Sequence, residues 1–143
     1  MKNHPSVKVV FYSVKDNSTK LQFICNKAKE AFQHEKRLLI VVSNLEAAKY
    51  VDALLWRFPD DGFIPHVISD VATNEWITIT TQEKQNVNQA TCLLNLRQAP
   101  CSLYHQFEDI YEFYDETHPQ KIEFSQKRIQ FYQKEGLLVM DPK

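Results

Sequence analysis

The sequence predicts an α/β fold, with a central, mostly parallel or mixed sheet of about five strands and helices on both faces. Three observations predict it. A β-branched and aromatic run, KVVFYSV, is followed directly by apolar residues at helical spacing. A continuous apolar run, RLLIVV, reads as a strand covered on both faces, as in a parallel sheet. Strand-like and helix-like segments then alternate along the chain rather than segregating.

The elements follow in order. Lys8 to Val14 is the first strand. Asp16, Asn17 and Ser18 offer capping oxygens for a helix to about Gln33, with Leu21, Ile24, Cys25, Ala28, Ala31 and Phe32 on its apolar face. Arg37 to Val42 is the second strand. Ser43 or Asn44 caps a second helix that ends before Pro59. Short strands are expected at Ile64–Ile68, Trp76–Thr80 and Thr91–Leu96, with a polar loop at Thr81–Gln89. Helices are expected from Ser102 to Tyr114 and from Pro119 to Glu135, with Gly136 at the end of the last one.

Composition narrows the function. The 143 residues suit one domain spanning 1–143, and hydrophobic content of 43% argues against disorder. The chain holds only two glycines, Gly62 and Gly136, where average usage would supply about ten. A dinucleotide-binding turn needs three closely spaced glycines and a P-loop needs two before a lysine, so both are excluded. A formal net charge of -1 gives no general attraction to nucleic acid or to an anionic membrane. The N-terminus lacks a signal-peptide pattern and no stretch approaches the ~20 apolar residues of a membrane span, so a cytoplasmic protein is expected. Cys25, Cys92 and Cys101 are odd in number and widely spaced, which favours reduced thiols.

Catalytic candidates are sparse. Cys101 and His105 are spaced to meet across one helical turn, but a zinc site needs about four ligands and no second pair lies nearby. Cys25 and Cys92 fall in apolar segments, where thiols are inert. Asp60-Asp61 and Glu108-Asp109 read as solvated surface charge. The expectation is a protein with no catalytic residues, no cofactor and no metal. An alternative is a small enzyme using His66 with Asp70 or a cysteine, which requires a pocket beside His66.

Two surfaces stand out instead. On the second helix Ala47, Val51, Leu54, Leu55 and Phe58 share the core arc, and Trp56 points about 140° from its centre. Either the loop carrying Phe63, Ile64, Pro65 and His66 folds back over Trp56, or the tryptophan is an exposed anchor of the kind that dominates protein interfaces. On the last helix Ile122, Ser125, Ile129 and Tyr132 form one stripe, and Phe124, Arg128 and Phe131 another. The second either packs under Leu137-Leu138-Val139 or forms a ledge edged by Lys121, Lys127, Arg128 and Lys134. Such a ledge suits an acidic, hydrophobic peptide.

With these residues in view, the chain resembles the chi subunit family of bacterial DNA polymerase III. The resemblance rests on FYSV, KRLLIVVSNLEAAKYVDALLWRFPDDGFIPH, CLLNLRQAP and KRIQFYQKEG, and covers nearly the whole chain. Its most specific part is Asp52, Leu55 and Trp56 followed by Phe63, Pro65 and His66. The resemblance implies a three-layer Rossmann-like fold without a nucleotide site, in a non-catalytic subunit of a nucleotidyltransferase holoenzyme that acts in DNA replication. It implies two partners: a psi-like subunit of the clamp loader, and the acidic C-terminal tail of single-stranded-DNA-binding protein. DNA is then contacted only indirectly. The psi-facing surface would include Trp56, Phe63, Pro65 and His66, a patch that a helicase or repair protein could also use. The tail site would include Lys121, Gln126, Lys127, Arg128 and Ile129. The family's last helix usually reads A-R-x-R followed by a tyrosine and a lysine. Here Arg128 matches the second arginine, while Gln126 replaces the first, which in the family grips the tail carboxylate. Gln126 cannot form that charge-assisted bond, leaving Lys121 and Lys127 as substitute point charges.

Overall fold

A computed structural model describes residues 7–57, 64–140 and 142. The order of elements is β1 (Lys8–Val14), α1 (Asn17–Gln33), β2 (Leu38–Val41), α2 (Leu45–Arg57), β3 (His66–Ile68), β4 (Ile77–Thr80), β5 (Cys92–Asn95), a 3₁₀ turn (Tyr104–Gln106), β6 (Asp109–Asp115), α3 (Pro119–Lys134) and β7 (Leu138–Met140). The strands form one seven-stranded sheet in the order β3-β4-β2-β5-β6-β1-β7. Every pairing is parallel.

Local chemistry sets the ends of the helices. The Asp16 carboxylate accepts from the Thr19 amide at 2.7 Å and starts α1. Asn44 Oδ1 accepts from the Ala47 amide at 2.8 Å and starts α2. Pro119 opens α3, where its missing N–H costs nothing. Gly136 ends α3 at φ +84°, the left-handed conformation that a glycine adopts without strain.

Two apolar layers sandwich the sheet. On one face Ile24, Cys25 and Ala28 of α1 and Ala48, Val51 and Leu55 of α2 pack on Ile40, Ile79 and Leu94. On the other, Tyr132 of α3 and the connections carrying Val87, Cys101 and Phe107 cover Phe11, Val41, Leu93 and Ile110. The alternation along the strands is therefore apolar on both sides, as a parallel sheet requires.

Two expectations change. The helix expected over Ser102–Tyr114 is a single 3₁₀ turn followed by β6, an interior strand between β5 and β1. The segment after Gly136 is a further strand, β7, paired with β1. The sheet therefore has seven strands rather than five. Phe58, Gly62 and Phe63 lie outside the described residues.

Candidate functional site

The C-terminal end of α2 meets β3 in a small polar and aromatic cluster. The parallel register that pairs His66 with Ile77 brings the start of β3 beneath α2. The His66 ring is fully enclosed. Its Nδ1 lies 2.7 Å from the Ile64 carbonyl, and its Nε2 lies 3.1 Å from Asp52 Oδ1 and 3.3 Å from the Asp52 carbonyl. Trp56 leans on it, with the ring centroids 4.8 Å apart, yet remains 54% exposed. The last turn of α2 thus presents a tryptophan braced by the His66 ring and about half exposed. Pro65 is half-buried beside it.

This arrangement does not suit acid–base chemistry. Both His66 ring nitrogens face oxygens of the protein. Asp70, its suggested partner, is occupied elsewhere: it accepts from the Thr80 hydroxyl, the Thr81 amide and the Thr81 hydroxyl, each at 2.8 Å. The three cysteines are buried and unpaired. Burial pushes the Cys25 thiol up to about 11 and raises Cys92 and Cys101 as well, the opposite of an activated nucleophile. Cys101 and His105 do not share a helix turn: Cys101 is buried and His105 sits exposed in the 3₁₀ turn. Among the described residues no three His, Cys, Asp or Glu side chains are grouped to hold a metal.

The five tail-site residues expected on α3 separate. Gln126 and Ile129 lie about 60° apart on one flank, and Gln126 Nε2 donates to the Tyr114 hydroxyl at 3.2 Å. Lys127 points about 160° away from Ile129 into solvent, and Lys121 sits exposed in the first turn. Arg128, expected as a surface cation, is buried at 6% exposure. Its Nε donates to Glu112 Oε1 at 2.9 Å, and its terminal nitrogens donate to the carbonyls of Phe113 and Gln98 at 2.7 and 3.1 Å. The reason is Glu112, a carboxylate fully buried in β6. Its other oxygen accepts from Asn95 Nδ2 at 2.8 Å and from the Tyr132 hydroxyl at 2.6 Å. Burial pushes the Glu112 carboxyl up to about 7, against the opposing pull of Arg128 and these hydrogen bonds. Sequence reasoning missed this network. The available signal was the i, i+4 pair Arg128 and Tyr132 on α3, which places one cation and one hydroxyl on the same side of a helix.

Comparison with known proteins follows the same outline. The family model for "DNA polymerase III chi subunit, HolC" matches residues 7–139. The chain belongs to the DNA polymerase III chi subunit family. It is 30% identical over 107 residues to the DNA polymerase III subunit chi of Haemophilus influenzae, covering 72% of this chain and 74% of that protein. It is 24% identical over 94 residues to the DNA polymerase III subunit chi of Escherichia coli, covering 64% of each. The family match spans every strand and helix from β1 to α3, so chi-family membership applies to the whole sheet and not to one motif.

Proposed function

We propose that this chi-family chain is a non-catalytic accessory subunit of a bacterial DNA polymerase III holoenzyme. It forms a single cytoplasmic α/β domain over residues 1–143. On this reading it links the clamp loader, through a psi-like subunit, to the acidic tail of single-stranded-DNA-binding protein during replication. The observation that carries the reading is the family match over residues 7–139. The exposed Trp56 surface at the end of α2 supports it. A large aromatic braced by a histidine ring and still 54% exposed has the character of an interface hot spot. The mechanism is avidity. A modest tail contact, repeated over many tails on coated DNA, keeps the polymerase near its template without a strong individual bond.

The Trp56 surface is tested by copurification. Trp56→Ala should abolish recovery of a co-expressed psi-like subunit while circular dichroism stays that of the wild type, and full recovery would sink the assignment. The tail surface is tested by fluorescence anisotropy with an acidic C-terminal peptide. Lys121→Ala and Lys127→Ala each remove an exposed point charge and should weaken binding by about two- to fivefold. Gln126→Arg restores a bidentate donor beside Ile129 and Tyr114 and should tighten binding. If all three variants bind as the wild type does, the peptide docks elsewhere.

A further inference from the structure

The topology opens a cleft away from Trp56, with Lys121 and Arg128 of α3 in its wall. After β2 the chain turns into α2 on one face of the sheet, while after β5 it leaves over the opposite face. Connections that part in this way leave a crevice at the carboxyl ends of parallel strands. Here the crevice has a volume of about 610 Å³ and is walled by the ends of β2, β5 and β6 and by α1, α2 and α3. That volume lies within the range of about 300–1,000 Å³ that holds small organic ligands.

The walls have a definite chemistry. Four cations line the cleft, Lys20, Arg97, Lys121 and Arg128, against the two carboxylates Glu46 and Asp115, with Tyr50 and Phe124 as aromatic surfaces. Three of the cations are held by carboxylates: Lys20 by Asp115 at 2.6 Å, Arg97 by Glu83 at 2.8 Å and Arg128 by Glu112 at 2.9 Å. Pairing neutralises much of their charge but fixes where their remaining N–H groups lie. Arg97 is the informative one. Its terminal nitrogen donates to Glu83 and to the Pro100 carbonyl, while its Nε is buried with no acceptor among the described residues. A buried guanidinium N–H without an acceptor is costly and rare. Arg97 also lines the cleft, where its guanidinium and the exposed Lys121 are the two cations an oxyanion would meet. Tyr50, itself 54% exposed, offers a flat surface to a ring.

We infer that this cleft binds a small aromatic oxyanion, its carboxylate or phosphate on Arg97 and Lys121 and its ring against Tyr50 and Phe124. The site needs no glycine-rich loop because side chains rather than backbone amides supply the donors. It is separate from Trp56, so its occupancy can be measured without either protein partner. The test is a titration of the full chain followed by amide chemical shifts, with adenosine monophosphate and 4-hydroxybenzoate as probes for phosphate and carboxylate. Adenosine and inorganic phosphate are the controls that lack one half of the ligand. At least one probe should shift amides saturably at 42–44, 95–98 and 121–124, with both controls at least tenfold weaker. Arg97→Gln and Lys121→Gln should each weaken the bound probe at least fivefold. Because Arg97 also anchors Glu83, the exposed Lys121→Gln variant and the wild-type shift pattern decide the matter if Arg97→Gln does not fold. The proposal is overturned if neither probe gives a saturable shift up to about 10 mM, well beyond millimolar sites. Shifts scattered over the surface, adenosine binding as tightly as its monophosphate, or indifference to Lys121→Gln would overturn it equally.

Discussion

Glu112 and Arg128 place an ion pair where the rest of the molecule is apolar, between the sheet and α3. Every polar atom of the Glu112 carboxylate is used, by Arg128, Asn95 and Tyr132, and Tyr132 in turn accepts from the Cys101 amide at 2.7 Å. Removing one partner of such a pair strands the other. Arg128→Met should therefore destabilise the fold by about 3–5 kcal/mol, read by urea denaturation, and a loss below about 1 kcal/mol would show that the pair is not buried as described. The same carboxylate gives a pH dependence of known sign. With its folded value pushed up to about 7 from an ordinary 4.5, the folded protein holds an extra proton between the two. That contribution favours folding below the ordinary value and is lost as pH rises through about 7. The urea midpoint should accordingly show a fall between these values that Glu112→Gln removes. An unchanged slope in the variant would contradict the assignment. Arg128 also shows where sequence reading stops at this scale. Its helical position suggested a cationic ledge, but what decides its exposure is a glutamate in a strand that was itself expected to be a helix. Trp56 was legible because helix geometry alone places it off the core arc.

The elements that were readable are those whose local pattern agrees with their tertiary setting. The strands β1 to β5 carry β-prone or apolar runs, the helices α1, α2 and α3 an apolar stripe and a capping residue, and all fall within a residue or two of expectation. The segment Ser102–Tyr114 failed for a physical reason. A serine ahead of scattered charges looks like a helix start, and Glu112 interrupts what is otherwise the β-prone run Ile110, Tyr111, Phe113 and Tyr114. A charged residue at the centre of a sheet is tolerated only because α3 delivers Arg128 and Tyr132 to it. β7 was missed because its three residues gain their identity from pairing with β1 and not from their own pattern. The glycine that separates α3 from β7 makes a clean test. A Cβ at Gly136 meets nothing within 4 Å, so Gly136→Ala carries only the cost of the left-handed conformation. That cost should be about 1–2 kcal/mol, measured by thermal unfolding, and Gly136→Asn should lose less. A neutral Gly136→Ala would mean that the turn relaxes to another conformation.

At the scale of the molecule, a parallel sheet covered on both faces leaves its outer helix surfaces and its carboxyl edge as the places where function can reside. The missing glycines removed a phosphate loop from that edge, and the topology nevertheless left a crevice there walled by side chains. No helix among the described residues is long and apolar enough to cross a membrane. The fold class was legible because alternating strands and helices admit few arrangements, whereas strand order and the path over each face depend on β6, which the sequence hid. The partners are the part that no single chain can encode. The central claim, that this chi-family chain joins two replication proteins, is tested most directly by affinity purification from native cells followed by mass spectrometry. The wild type should recover clamp-loader subunits and single-stranded-DNA-binding protein, and Trp56→Ala should selectively lose the clamp-loader subunits. Recovery of neither with the wild-type chain would contradict it.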